Sequence, residues 1–155
     1  MSGTTPTTGP PLDRPADVLV VGGHDSAGEA ISLGVWGDRA WRLPADSGVD
    51  AAIRIDAAGH IVVPGLVDLH VHIYREVTPW GIDIDPVAAR SGVTTVVDAG
   101  SAGASTFAGF AAQLRALRSV TGRALVNLSR IGLIGEFDEL AHPELIDVDA
   151  AAATV

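Results

Sequence analysis

No cysteine and no lysine occur among the 155 residues of this chain, and its ten basic residues are all arginine. Without cysteine there are no disulfides and no thiolate metal ligands. Without lysine there is no phosphate-loop ammonium, no Schiff base and no metal-bridging modified lysine within these residues. Positive charge is scarce as a whole, the formal net charge being −9. A nucleic-acid binder needs a basic face against phosphate, so nucleic acid is not an expected partner. No apolar run approaches the ~20 residues that cross a bilayer, so no membrane partner is expected either. The Thr-, Pro- and Gly-rich start lacks the basic head and apolar centre of a signal peptide. Residues 1–16 read as a flexible tail, and a cytoplasmic protein is the expectation.

What is present is material for a core: 47% of residues are hydrophobic and 19% charged. The rhythm changes at Pro64-Gly65. Before it lie short strands. "DVLVV" ends in Gly22-Gly23, "AISLGVWGDRAWRL" reads as a hairpin turning at Gly37-Asp38, and "AAIRID" and "HIVV" flank the turn Ala57-Ala58-Gly59. Residues 17–64 therefore read as a small antiparallel β-domain. After Gly65, strands and helices alternate. The strand Leu66–Tyr74 precedes a helix with Asp85 as N-cap and Gly92 at its end. "VTTVVDAG" is a strand, Ser101–Gly122 a helix, "RALVNLSR" a strand, and Pro143 opens a third helix. That order is the signature of parallel βα units and predicts an α/β second domain over 65–155.

The run "VPGLVDLHVHIY" holds the strongest chemical signal. Side chains two apart on a strand share a face. Val67, Leu69, Val71 and Ile73 make one apolar face, while Leu66, Asp68, His70, His72 and Tyr74 make the other. Imidazoles at alternate positions, led in by Asp and Pro-Gly, read as metal ligands rather than as satisfied core histidines. Two readings of Asp68 stand side by side: it orients a ligand, or it bonds neighbouring backbone. Zinc suits imidazole donors, as do iron, cobalt, nickel and copper. A catalytic zinc takes three protein ligands and a water, and this constellation offers two. His24, His60 and His142 fall in turns or loops and read as surface residues. Asp98 reads as a cap of the following helix, and Arg130 either as a surface ion-pair partner or as a clamp for a substrate carboxylate. "DAGSAGAS" lacks the spacing of a phosphate loop and reads as a tightly packed turn.

"VVPGLVDLHVHIY", "TPWGIDIDPVAARSGVTTVVDAGSAGASTFAGF" and "LVNLSRIGLIG" together resemble the amidohydrolase superfamily, in its dihydroorotase-like amidohydrolase/deacetylase branch. The resemblance spans roughly Asp17 to Gly135. It implies a small β-sandwich, incomplete here, leading into the first three units of a (β/α)₈ barrel. It also implies one or two divalent metals, usually Zn²⁺, whose bound hydroxide attacks an amide carbonyl. Carried onto this chain, His70 and His72 are metal ligands, and Arg130 and Tyr74 are candidates for binding the carboxylate of an N- or O-acylated acid. Tyr74 stands where dihydroorotases tend to carry Arg, which argues against dihydroorotate. Family members often self-associate, so a homo-oligomer is a possible partner state.

The family completes its site with a carbamylated Lys, two further His and a proton-shuttling Asp from later strands, and no lysine exists here. A barrel of this type needs at least ~200 residues. Two classes follow: the N-terminal part of a metal-dependent amidohydrolase, or a non-catalytic remnant or interaction module. Three parallel strands leave an open edge and uncovered apolar faces. Poor solubility is expected of this chain expressed alone, and a monodisperse, cooperatively melting monomer in sedimentation and calorimetry contradicts it.

Overall fold

A computed structural model describes residues 9–45, 47–134 and 139–155. Residues 1–8 of the expected tail and 135–138 of the loop before Pro143 lie outside them. Two compact units divide the chain, Met1–Pro64 and Gly65–Val155.

In the first unit, β1 (Ala16–His24), β2 (Ala30–Trp36), β3 (Arg39–Leu43) and β4 (Ala51–Asp56) form one sheet in the order β3-β2-β1-β4. Along β2, Ser32, Gly34 and Trp36 point inward at alternate positions. Ala16, Leu19, Trp36 and Leu43 form the buried core, with Trp41 set edge-on to Trp36 at 5.7 Å. A side chain at Gly34 would run into the Trp36 ring and Leu43, so the indole lies across bare backbone there.

The β-domain departs from the expected pattern in three places. β1 does not stop at Gly22-Gly23 but continues to His24 through a bulge. Between the pairs Val20↔Leu33 and Gly23↔Ile31 it spends one residue more than β2. Gly22 absorbs the extra residue at a φ of 76°, a conformation costly for any side chain. Nor is the sheet wholly antiparallel: β4 pairs with β1 in parallel, Ala16 opposite Ala51 and Val20 opposite Ile55. After β3 the chain crosses to the far edge instead of making another hairpin, and the Ala16 N–H donates to the Asp50 carbonyl at 2.8 Å. His60–Val63 adds no strand, and Ile61 makes only an isolated bridge to His24.

In the second unit, β5 (Leu66–Val71), α1 (Ile84–Ser91), β6 (Val93–Asp98), α2 (Phe107–Ala116) and β7 (Thr121–Ala124) alternate, and α3 (Val148–Thr154) follows two 3-10 turns. The strands are parallel in the order β5-β6-β7. The mixed α/β class is as expected. Among the described residues this sheet has three strands and is open. Its buried cluster holds Val71, Ile73, Tyr74, Ile84, Ala88, Val96, Ala102 and Phe110. Gly92 ends α1 at a φ of 74°, the left-handed cap that glycine favours.

Element ends differ from the sequence reading for identifiable reasons. β5 ends at Val71, not Tyr74, because the next free amide, Ile73 N–H, donates to the Asp98 carboxylate at 2.8 Å instead of to a neighbouring strand. The third strand lies earlier than "RALVNLSR": Ala124 pairs with Asp98, the last residue of β6, and beyond it the pairing persists only as the Leu125 N–H on the Asp98 carbonyl and an isolated bridge of Asn127 to Gly103. α2 begins only at Phe107, since residues 101–106 are folded into the turn before it. As an edge strand, β5 leaves the supposedly covered Leu69 71% exposed.

Asp85 is not the N-cap of α1; Asp83 is. Asp85 instead accepts the N–H groups of Ser119 (2.8 Å) and Arg118 (3.0 Å), tying the first turn of α1 to the segment after α2. These bonds, that from Ser119 foremost, hold its carboxyl below the ordinary value of 3.8. A lowered folded-state value contributes stability above the unfolded value, which is lost as pH falls through the folded one. Resistance of this unit to urea should therefore drop below pH ~4, and Asp85→Asn should flatten that part of the profile. Equal acid sensitivity of the two proteins in urea titrations contradicts it.

Candidate functional site

The C-terminal end of β5 is positioned by main-chain and carboxylate bonds. Ala99 N–H donates to the Val71 carbonyl at 2.9 Å, continuing the pairing of β5 with β6 for one more residue. Ile82 N–H donates to the His72 carbonyl at 3.0 Å. Between them, Asp98, fully buried, takes Ile73 N–H on one oxygen and Ser101 N–H on the other, at 2.8 and 2.6 Å. Asp98 thus ties the end of β5 to the turn after β6, and does not cap α2, whose N-cap is Thr106.

His70 and His72 emerge from this frame with ring centroids 5.5 Å apart and planes at 85°. Two imidazoles bound through nitrogen to one tetrahedral zinc have centroids about 5 Å apart. The separation of the two rings is thus of the size that a shared ion would require. His70 is exposed and His72 half-buried. The Nδ1 atom of His72 lies 3.0 Å from Ser101 Oγ. Asp68 takes the backbone alternative: it accepts the His70 N–H at 3.0 Å.

The other candidates are placed differently. Tyr74 turns into the core, its ring 4.9 Å from Phe110 and its hydroxyl donating to the Thr106 carbonyl at 3.2 Å. With the strand ended at Val71, the alternation no longer carries Tyr74 to the histidine face, and its hydroxyl is not offered to a carboxylate. Arg130 is exposed, in the turn after β7, where its N–H donates to Leu145 and its carbonyl accepts from Ser105. Its guanidinium makes no ion pair among the described residues. His24 is exposed, His60 bonds the Ala58 carbonyl, and His142 pairs with Glu144.

No protein-family model matches the chain. A deacetylase of Brucella anthropi is 37% identical over 139 residues, which are 88% of this chain and 31% of that protein. A deacetylase of Agrobacterium fabrum is 43% identical over 98 residues, 62% of this chain and 24% of that protein. Among solved structures, an adenine deaminase superposes with a TM-score of 0.75 at 25% identity, over 90% of this chain and 38% of its own. A dihydroorotase gives 0.72 at 30% identity, over 88% and 38%. A D-aminoacylase described as defining a subset of amidohydrolases gives 0.53 at 25% identity, over 75% and 30%; another D-aminoacylase structure concerns a binuclear metal centre. The chain belongs to the amidohydrolase superfamily.

This amidohydrolase chain spans about a quarter to a third of the length of the Agrobacterium fabrum and Brucella anthropi deacetylases. Among its described residues no third His, Asp or Glu joins the two imidazoles in a metal-holding group. Two residues beside the amidohydrolase histidines escaped the sequence reading. Ser101 lay inside the Gly-rich turn, where its only signal was the i+3 spacing from Asp98. Trp80, 57% exposed, stands 6.1 Å from the His72 ring. The turn itself is tightly packed: a side chain at Gly103 would strike Ser129 and Arg130 backbone, and one at Gly132 the Ser101 carbonyl. Asp98→Ala strands two buried N–H groups and should cost about 2–5 kcal/mol. Amide exchange of Ile73 and Ser101 should quicken while that of Leu19 in the first unit does not; unchanged protection of both amides contradicts the role given to Asp98.

Proposed function

We propose that this chain forms the opening βα units of a (β/α)₈ metallohydrolase that cleaves the C–N bond of an N-acyl substrate, in the manner of a deacetylase. The observation that carries this reading is the His70–His72 pair, held 5.5 Å apart at the C-terminal end of a parallel strand. In such folds the reactive groups gather at that end. Relatives named deacetylase support the reaction class, and the D-aminoacylase with a binuclear centre supports a divalent metal.

His70 and His72 would hold the ion, with zinc the natural choice for imidazole and other divalent metals compatible with it. When bound, such an ion supplies a water of lowered pKa and polarises the scissile carbonyl. The chain's own residues do the positioning. Asp68 holds the main chain of His70, and Asp98 holds the main chain on the far side of His72. Arg130, charged and without an ion-pair partner among the described residues, suits a substrate carboxylate through its planar fork. Tyr74 packs against Phe110 in the core of the same unit. Two imidazoles are fewer than a catalytic ion requires, so the remaining ligands and the proton-transfer group would come from residues outside the described set.

Zinc titrated into the metal-free protein should bind at one ion per chain in calorimetry, and His70→Ala or His72→Ala should abolish it, whereas His24→Ala should not. In a protein that also carries the remaining ligands, the same two substitutions should abolish acetate release from an N-acetyl amino acid, a reaction this chain by itself is not expected to perform. Undiminished zinc uptake by the double variant contradicts the proposal.

A further inference from the structure

The ring of His72 has a partner that neither the strand pattern nor the metal reading assigns. Ser101, fully buried, brings its Oγ to 3.0 Å from His72 Nδ1. Three contacts hold Ser101 where it is. Its N–H donates to Asp98 at 2.6 Å, its carbonyl accepts the Leu133 N–H at 3.0 Å, and Gly132 packs against that carbonyl so closely that no side chain would fit there. Asp98, with its second oxygen on Ile73 N–H, binds the residue immediately after His72. The main chain beside His72 and the group touching its ring are therefore anchored to the same carboxylate. Among the described residues His70 has no comparable ring partner: its side chain is exposed, and the ring contact it makes there is with His72 at 5.5 Å.

We infer that Ser101 is a positioning residue that occupies His72 Nδ1 and so makes Nε2 the metal-binding nitrogen of that ring. The inference rests on the metal reading of the His pair and adds to it which atom of His72 coordinates and what chooses that atom. The chemistry is that of a neutral imidazole, which has one protonated nitrogen and one with a free lone pair. With the lone pair of Nε2 committed to a metal, the proton resides on Nδ1, which donates to Ser101 Oγ. Hydrogen bonds to the non-ligating nitrogen fix the ring's orientation and raise its basicity, and losing one costs typically ~10–100-fold in metal affinity. Because Ser101 is fixed by backbone bonds and packing, it acts without a rearrangement at the moment of binding.

The test is nitrogen-resolved NMR of the ¹⁵N-histidine-labelled full chain, titrated with Zn²⁺ and with Cd²⁺, for the unmodified protein and for Ser101→Ala. In the unmodified protein, metal should shift Nε2 of His72 and leave Nδ1 protonated. In Ser101→Ala, zinc affinity should fall ~10–100-fold, and the His72 signals should show both ring nitrogens engaging the metal or exchange between them. Thermal midpoint and the His70 signals should stay near those of the unmodified protein, which a general structural defect would not allow. Coordination of His72 through Nδ1 in the unmodified protein overturns the inference without recourse to any variant. Equal affinity and identical His72 signals in Ser101→Ala overturn it also, while leaving the metal reading intact. No zinc or cadmium bound by the unmodified chain overturns both.

Discussion

A single buried carboxylate organises the end of the β5-β6-β7 sheet. Asp98 is fully buried and spends its two oxygens on two N–H groups from different segments, Ile73 after β5 and Ser101 after β6. A buried carboxylate left unpaired would be prohibitive, so its presence there requires both donors. Each donor in turn fixes something else. Ile73 N–H is taken out of the strand ladder, which ends β5 at Val71 and leaves His72 at the lip of the sheet rather than within it. Ser101 N–H is held so that the hydroxyl of the same residue meets the His72 ring. Strand alternation brings the two imidazoles together, and the lip position of His72 follows from a strand that stops where Asp98 makes it stop.

How much of this was legible beforehand depended on whether the signal was local. His-x-His at alternate positions, the β6 strand and the glycine stop of α1 are periodic or short-range features, and they stand close to where the sequence placed them. The misplacements came from non-local pairing. β4 lies parallel to β1 because of a crossover that no alternation of side chains encodes. β7 ends at Ala124, where β6 turns into the Gly-rich loop and the pairing thins to an isolated bridge of Asn127 to Gly103, although the apolar run continues through Leu125 and Val126. Asp85 resembled a cap because it precedes Pro86, yet its acceptors are filled by amides 33 and 34 residues away. Tyr74 shared its parity with the histidines only as long as the strand lasted. Ser101 was unreadable for the same reason: its partner on His72 is 29 residues distant.

The second unit also carries apolar surface that its own described residues do not cover. Leu66, Val67 and Leu69 of β5, together with Leu125 and Leu128 beyond β7, are more than half exposed. An open three-stranded parallel sheet is unusual, since such sheets are normally covered on both faces. The two imidazoles at its edge are likewise fewer than the three protein ligands a catalytic zinc takes. Both features agree with a chain that spans 24% and 31% of the length of two deacetylase relatives.

The central claim, that Asp98 and its partners hold His70 and His72 ready to share one ion, is open to direct observation. Crystals of the protein grown with zinc and measured on both sides of the zinc absorption edge would locate the metal without reference to activity. An anomalous peak about 2.0–2.1 Å from one nitrogen of each ring is the expected result. A peak on only one of the two rings, or elsewhere on the chain, would contradict it.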